Sequence, residues 1–540
     1  MPTLEFKGKP FVYSHHLSVP FRELVIDPKK SLPLKGQKAS LDDNLIIHGD
    51  NLEALKALLP RYAGKVDVVY IDPPYNTGDE GWAYNDNVNS PLMKEWLGKV
   101  VDRDDLERHD KWLCMMWPRI SLLRELLSSH GVMFISINSI EKDSLGLILR
   151  EIFKDCLLGE FVWKSRQNKD NRNKSGISED HEYVLVVGAE IKGEKRKSDG
   201  WENPDNDPRG PWASGNMVGM ASKKDRPNLH YDLIDPKTKI NYGCPSRGWR
   251  YEPATMQKLI AEGRILWPPT PNGRPREKVF RNDLTEFTNA SSVIDLDVFT
   301  RDGTLEFEEI FGSRELPFPK PSRLIEYLIE LPAIENACVL DSFAGSGTTA
   351  QAVLALNKRD GGARRFILVE MEDYADRITA ERIRRVIKGV PNAKDEALKG
   401  GFGGSFTYCR LGQAIDLERF FDGEGAPLYQ QVAHYIVYTA TGQSTSDVPS
   451  EPREDWFVAQ AGGYRIYLIY RPNLEFMRSN QAALSMPLAQ KIAKSAKGAP
   501  SLVYAASKFM AQAELTKRGI TFCQLPYSVH RVLGEAPDAS

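Results

Sequence analysis

The chain has almost no net charge: Lys and Arg number 71 against 73 Asp and Glu, a formal −2 over 540 residues. That excludes a histone-like polycation, although a binding face needs only a local basic patch. Cysteine is sparse, six in all, at 114, 156, 244, 338, 409 and 523, with no C-x-x-C pair. A disulfide framework and a cysteine zinc site are therefore not expected, and a reducing interior fits. Long apolar runs are missing. Val132–Ile137 is among the longest, far below the roughly 18 residues that cross a bilayer. Met1–Pro10 carries no basic start followed by an apolar core, so no signal peptide is read and a soluble, intracellular protein is expected. Internal repeats and low-complexity tracts are lacking too. What is present is ordinary: 41% hydrophobic, 27% charged and 10% aromatic residues, which argues against wholesale disorder. At roughly 150 residues per domain, the length suggests about three to four units.

Residues 1–40 show no clear period and read as a peripheral arm. Leu45-Ile46-Ile47 reads as a strand ending at His48-Gly49-Asp50-Asn51. Leu52, Leu55, Leu58 and Leu59 then repeat at helical spacing, with Pro60 closing the helix. Val66–Ile71 is a β-branched run stopped by Asp72-Pro73-Pro74-Tyr75. Strand, helix and strand joined by short connections predict a parallel α/β sheet. Residues 76–110 are polar and turn-rich and read as a mobile loop beside a site. The pattern continues with a helix over Lys111–Ser129 capped by Gly131, a strand at Val132–Ile137, a helix over Ser144–Phe153, and strands at Phe161–Trp163 and Tyr183–Val187. Residues 190–315 are rich in Pro, Gly and interleaved charge, and read as an inserted domain of irregular or β structure. The α/β alternation then resumes: helix Pro321–Leu331, strand Cys338–Asp341, helix Thr348–Asn357, strand Phe366–Val369, and a basic amphipathic helix Ala375–Ile387. Gly400–Gly404 punctuates the chain. Beyond it an extra module carries strands at Tyr464–Tyr470, Ser501–Ala505 and Ile520–Gln524 and a helix over Phe509–Arg518.

Two motifs carry chemistry. Asp72-Pro73-Pro74-Tyr75-Asn76-Thr77-Gly78 ends a predicted strand, and open α/β sheets hold ligands at strand C-termini. The two prolines stiffen the turn and remove two backbone donors. The Asp72 carboxylate, the Pro73 carbonyl and the Tyr75 face remain. Two acceptors beside a stacking platform suit a planar ring bearing an amino group. The second motif is Asp341-Ser342-Phe343-Ala344-Gly345-Ser346-Gly347-Thr348-Thr349, between a strand and a helix. Its glycines let a ligand approach the backbone, and the helix start offers free amides. It is neither a Walker loop, since no Lys follows the last Gly, nor a G-x-G-x-x-G fingerprint. Glu370 ends the next strand, 29 positions past Asp341 (370 − 341), where a carboxylate could grip a ribose diol.

Together these residues resemble the DNA amino-methyltransferases that use S-adenosyl-L-methionine, which pair a D-P-P-Y tetrad with an F-x-G-x-G loop. The tetrad comes first here, and the resemblance is to the permuted β class, especially the modification subunits of type III restriction–modification systems. It covers about residues 40–190 and 315–390, and more loosely the last 135 or so. It implies a Rossmann-like class I methyltransferase sheet of circularly permuted order, with an inserted target-recognition domain and a C-terminal α/β module. The implied division is an arm at 1–40, a catalytic half at 41–190, recognition at 191–315, a cofactor-binding half at 316–400 and a module for partner docking or dimerisation at 401–540.

By resemblance Asp72, Pro73, Pro74 and Tyr75 are catalytic. Asp50 contacts the cofactor adenine, or simply caps its helix. Phe343 packs on the adenine, and Gly345 and Gly347 permit close approach. Asp341 begins the cofactor loop. Thr348 and Thr349 hold the methionine carboxylate. Lys320 also faces the methionine, or is a solvated loop lysine. Glu370 binds the ribose. The best local basic element is Lys164, Arg166, Lys169, Arg172 and Lys174, five positive charges against one negative, Asp170. Interleaved Asn and Ser suit phosphate contacts, and the alternative is a solvated loop. Residues 161–290 hold 23 basic and 18 acidic residues, a surplus of 5, in the segment proposed to touch double-stranded DNA. His181 has no partner histidines, so no metal is expected. The implied activity is N6 methylation of a flipped-out adenine by a cytoplasmic, nucleoid-associated prokaryotic enzyme. A homodimer and a separate restriction/helicase subunit are the implied partners, and no membrane is involved. N4-cytosine methylation and a non-catalytic specificity or scaffold subunit are the alternatives.

Overall fold

The computed structural model describes residues 4–77, 107–154, 156–171, 176–197, 200–415 and 426–525. Most of the polar loop expected at 76–110 lies outside them. Two compact units emerge, one of residues 1–191 with 291–540 and one of residues 192–290. No helix among the described residues is long and apolar enough to cross a membrane.

The larger unit is organised by a ten-stranded sheet. In chain order its strands are β1 (Arg22–Ile26), β2 (Leu45–His48), β3 (Val66–Ile71), β4 (Leu127–Ile137), β5 (Leu157–Trp163), β6 (Glu182–Gly188), β7 (Val293–Ile294), β8 (Cys338–Asp341), β9 (Arg365–Glu370) and β10 (Thr407–Ala414). Across the sheet they run β1-β10-β2-β9-β8-β3-β4-β6-β5-β7. From β10 to β4 every pairing is parallel, and β6 is antiparallel to both neighbours. This is the expected α/β sheet, parallel at its centre and extended at both edges. Its centre is buried on both faces: Val66, Val68, Val69, Leu340 and Leu368 have no exposed surface. That is why these strands read as unbroken apolar runs rather than alternating ones.

Several boundaries differ from expectation for identifiable reasons. The helix Asn51–Tyr62 contains Pro60 instead of stopping there; a proline in the last turn removes only one backbone bond. The next helix is Arg108–Leu126 and passes directly into β4, so Gly131 is a strand residue and not a cap. A Cβ at Gly131 would sit 2.9 Å from the Val66 carbonyl, so the glycine serves close strand packing. The expected helix 375–387 is divided into a tight turn Asp373–Ala375, a wide turn Asp376–Ala380 and a helix Glu381–Lys388. Residues 1–40 are more than an arm, because β1 pairs with β10 at the sheet edge.

The chain after Gly401 likewise contributes β10 to the large sheet. It then builds a four-stranded sheet from Phe457–Ala461, Tyr464–Leu468, Ser501–Ala505 and Ile520–Gln524. The helix Tyr429–Thr441 carries Val432 and Ile436 into that sheet's core. It also fixes the module to the rest of the unit: the Arg61 guanidinium meets His434 Nε2 at 3.0 Å, and the Tyr438 hydroxyl donates to Glu125 at 2.7 Å. The expected helix 509–518 shrinks to Gln512–Thr516.

The smaller unit spans 192–290, whereas the expected insertion ran to 315. Residues 291–315 supply β7 and the helix Thr300–Phe311 to the larger unit. The smaller unit has a three-stranded antiparallel sheet, Trp212–Gly215, Arg276–Phe280 and Ile265–Leu266. It also has a helix, Pro253–Ala261, that the proline-rich sequence did not announce. Met217, Leu233, Trp249 and Met256 form its core.

Candidate active site

β3 delivers Asp72-Pro73-Pro74-Tyr75 to its C-terminal end, and the Trp112 indole pins the turn by donating to the Pro74 carbonyl at 2.7 Å. Around the tetrad lies a compact ionic cluster. The Lys320 ammonium is 2.9 Å from Asp72 Oδ1, 2.8 Å from the Tyr75 hydroxyl and 3.2 Å from Glu182 Oε2. It stands 4.8 Å from the centre of the Tyr75 ring. The Tyr75 hydroxyl donates to Glu182 Oε2 at 2.9 Å. Burial works against the Lys320 charge, but Asp72 and Glu182 more than offset it and hold the ammonium above its ordinary range. Asp72 keeps 27% of its side chain exposed. Its surroundings still desolvate it enough to raise its pKa, with Lys320 opposing and Glu182 reinforcing the shift.

β8 ends at Asp341, which organises the glycine loop from beneath. Its carboxylate accepts the Phe343 amide at 3.0 Å and the Thr349 hydroxyl at 2.5 Å, and burial pushes its pKa up to about 7. Gly345 and Gly347 have φ of +50° and +83°, the left-handed region that glycine adopts at no steric cost. The Gly345 amide donates to Glu370 Oε2 at 2.7 Å, and the Glu372 amide donates to Glu370 Oε1 at 2.9 Å. Burial pushes Glu370 to about 7 despite these donors. The wide turn Asp376–Ala380 places the Thr379 hydroxyl 2.6 Å from the Gly345 carbonyl. Arg382, fully buried, braces the loop by donating to Ser346 Oγ at 2.7 Å, Thr348 Oγ1 at 2.8 Å and Gln351 Oε1 at 2.8 Å.

Both motifs open onto one cavity of about 870 Å³, whose wall includes Asp50, Asp72, Tyr75, Lys320, Phe343 and Glu370. A second space of about 230 Å³ shares Asp72, Lys320, Phe343 and Gly345 and reaches Thr348 and Thr349. Asp50 both caps its helix, accepting from the Glu53 amide at 3.1 Å, and faces the cavity. Arg119 lies 3.5 Å from Asp50 Oδ2 and donates to Asn51 Oδ1 at 2.5 Å.

The remaining expected residues are placed as follows. The Thr348 and Thr349 hydroxyls are engaged internally, with Arg382 and Asp341. Lys320 is not a solvated loop lysine: its ammonium sits within the tetrad and its side chain lines both spaces. Gly347 is not on the wall of either space. A Cβ there would come 3.1 Å from the Thr379 carbonyl, so its glycine answers to backbone conformation and packing. Lys164, Arg166 and Lys169 are exposed, with Arg166 paired to Asp170 at 2.8 Å. Arg172 and Lys174 lie outside the described residues. Among the described residues no acidic, histidine or cysteine cluster could hold a metal ion.

Glu182, Arg119 and Arg382 were not anticipated. Glu182 follows Asp180-His181 at a strand start, and no local pattern marks it. Arg382 falls in the stretch that reads as a basic amphipathic helix, yet after the wide turn Asp376–Ala380 it is buried.

The chain is about 32% identical over 391 residues to the type III restriction–modification enzyme EcoP15I Mod subunit of Escherichia coli, covering 61% of this chain and 58% of that one. It is 30% identical over 438 residues to the EcoPI Mod subunit of Escherichia phage P1, covering 66% and 64%. It is 32% identical over 374 residues to the type II methyltransferase M.KpnI of Klebsiella pneumoniae, covering 64% and 84%. The chain thus spans less than two thirds of the length of the Mod relatives it matches. The model of the N6/N4 DNA methylase family matches residues 66–381, more than half of the chain, and embraces both the tetrad and the glycine loop: the chain belongs to this DNA methylase family.

Proposed function

We propose that this chain is a site-specific DNA methyltransferase that moves the methyl group of S-adenosyl-L-methionine onto the N6 amino group of an adenine flipped out of the duplex. The observation that carries the reading is that the acceptor-rich tetrad and the glycine loop with its carboxylate face a single cavity of about 870 Å³. The loop side fits a nucleoside. Gly345 leaves open space, its nearest neighbour to a built Cβ being the Phe343 carbonyl at 3.9 Å. Phe343 offers an aromatic surface, and Glu370 and Asp50 offer carboxylates for a diol and an amino group. When bound, the cofactor supplies an electrophilic methyl group on a sulfonium.

The amino nitrogen of adenine is a poor nucleophile because its lone pair is delocalised, and the duplex hides it. Asp72 and the Pro73 carbonyl accept its two hydrogens, which turns the lone pair out of the ring plane and stabilises the positive charge growing on nitrogen. Tyr75 stacks on the ring. The sulfonium of the bound cofactor would supply the methyl group to this lone pair, and Asp72, already accepting an amino hydrogen, would take the proton that the nitrogen sheds. Much of the rate comes from positioning.

In the same reading residues 192–290 recognise the target, Lys164, Arg166, Lys169, Arg172 and Lys174 contact phosphates, and the C-terminal module docks a restriction/helicase chain or a second copy in a homodimer. The relatives named as Mod subunits support this setting, and a nucleoid-associated, cytoplasmic enzyme follows from it. The test is mass spectrometry of nucleosides from DNA incubated with the protein and cofactor. N6-methyladenine is expected. N4-methylcytosine would move the target to the other amino base, and no methylated base would leave a non-catalytic binding subunit.

A further inference from the structure

The tetrad holds a cation that the proposed chemistry does not require. Lys320 bonds Asp72 Oδ1 at 2.9 Å, which is the acceptor that an incoming amino group needs. The Lys320 side chain is 9% exposed, so its ammonium cannot be displaced into an unpaired state without a large cost. A second carboxylate already waits within reach, Glu182 at 3.2 Å. Glu182 is held rigidly. It begins β6, is paired through the backbone with Trp163, and accepts the Tyr75 hydroxyl at 2.9 Å. Lys320 has a flexible four-carbon stem and a compact head that can shift between the two oxygens.

We infer that Glu182 is a positioning residue that takes over Lys320 when the target base enters, freeing Asp72 to accept the amino hydrogens. The inference rests on the methyltransferase reading and deepens it. A cation left on Asp72 would compete with the amino group for Oδ1 and oppose the positive charge developing on the nitrogen. Transfer of that cation to Glu182 restores the full negative charge of Asp72 where the transition state needs it. Glu182 thereby acts through Lys320, without touching the reacting atoms.

The test is a double-mutant cycle on the full chain, with Glu182→Gln, Lys320→Met and both together. Single-turnover methylation of unmethylated plasmid DNA is followed with labelled cofactor. Cofactor affinity is measured separately by calorimetry, and folding by thermal melting. Glu182→Gln is expected to slow methyl transfer by about 30-fold or more at saturating DNA, with cofactor affinity within about twofold of wild type. Lys320→Met alone is expected to cost less than about tenfold, and in that background the same substitution less than about threefold, so the double variant outruns Glu182→Gln alone. An equal loss in both backgrounds would mean that Glu182 merely anchors Tyr75, and would overturn the inference while leaving the methyltransferase reading intact. Wild-type speed in Glu182→Gln would overturn it too. A wild-type protein that binds cofactor but methylates no DNA would remove the reading and the inference together.

Discussion

Glu370 offers a prediction whose size can be worked from the site. Its carboxyl is pushed up to about 7 because burial at the end of β9 outweighs the two amides it accepts. If the ionised form is the one that grips the two ribose hydroxyls, cofactor affinity must follow its ionisation. With a pKa near 7 the ionised fraction climbs from about a tenth at pH 6 to about nine tenths at pH 8, so the apparent dissociation constant should fall by roughly tenfold across that window. Glu370→Gln keeps the shape and removes the charge. A hydrogen bond to a charged group contributes about 1.5–3 kcal/mol, so the substitution should weaken cofactor binding by roughly 10–100-fold at pH 8 and flatten the pH dependence. Isothermal calorimetry at pH 6, 7 and 8 reads both effects. Asp341 is also pushed to about 7, and the flattening separates the two groups. If Glu370→Gln keeps the wild-type slope, Asp341 or another group titrates and the ribose assignment is wrong.

Asp72→Ala should leave cofactor binding nearly unchanged and slow turnover by at least ~100-fold, the scale of losing one charge-stabilising group, as read in a labelled methyl-transfer assay. Gly347→Leu forces a side chain into φ +83° against the Thr379 carbonyl; it should lower the melting temperature and abolish cofactor binding by calorimetry. Neutralising Lys169, Arg172 and Lys174 should reduce the salt slope of DNA binding by roughly 2.7, at about 0.9 per phosphate contact; an unchanged slope would exclude them from the interface. Glu326 is half-buried in the helix Ser322–Glu330 and is pushed to about 7 by desolvation, with Arg359 at 3.1 Å offsetting only part of it. A carboxyl raised in the fold contributes stability below its unfolded pKa of about 4.5 and loses it as pH rises through about 7. Glu326→Gln should therefore raise the melting temperature by about 1–3 °C at pH 8 and change it little at pH 5, since its half-exposed Arg359 partner costs at most about 1 kcal/mol.

The centre of the sheet was readable because its strands are buried on both faces. Val66–Ile71 and Cys338–Asp341 each appear as an apolar run ended abruptly by an acidic, turn-forming motif. The tetrad and the glycine loop were legible for the same reason. The edge was not: β1 is a short strand whose partner β10 lies nearly 400 residues away and itself joins the sheet through β2. The ionic cluster was equally hidden. Lys320 and Asp72 are separated by 248 positions, and Glu182 enters from a third segment. No local period brings such groups together; the sheet does, since β6 runs antiparallel to β4 and so starts, with Glu182, beside the C-terminal ends of β3 and β4. Pro60 and Gly131 misled for a different reason. Both are strong local punctuation, but one last-turn bond is a small loss and a glycine also serves close packing.

The central claim is that Asp72 and the glycine loop act on one substrate in one cavity. Its most direct test is nucleoside mass spectrometry of plasmid DNA treated with wild-type protein and labelled S-adenosyl-L-methionine, beside Asp72→Ala at matched cofactor occupancy. Label in N6-methyladenine from the wild type, with a loss of at least ~100-fold in the variant, is the predicted result. Equal labelling by both proteins, or none by a wild type that binds cofactor and DNA, would contradict it.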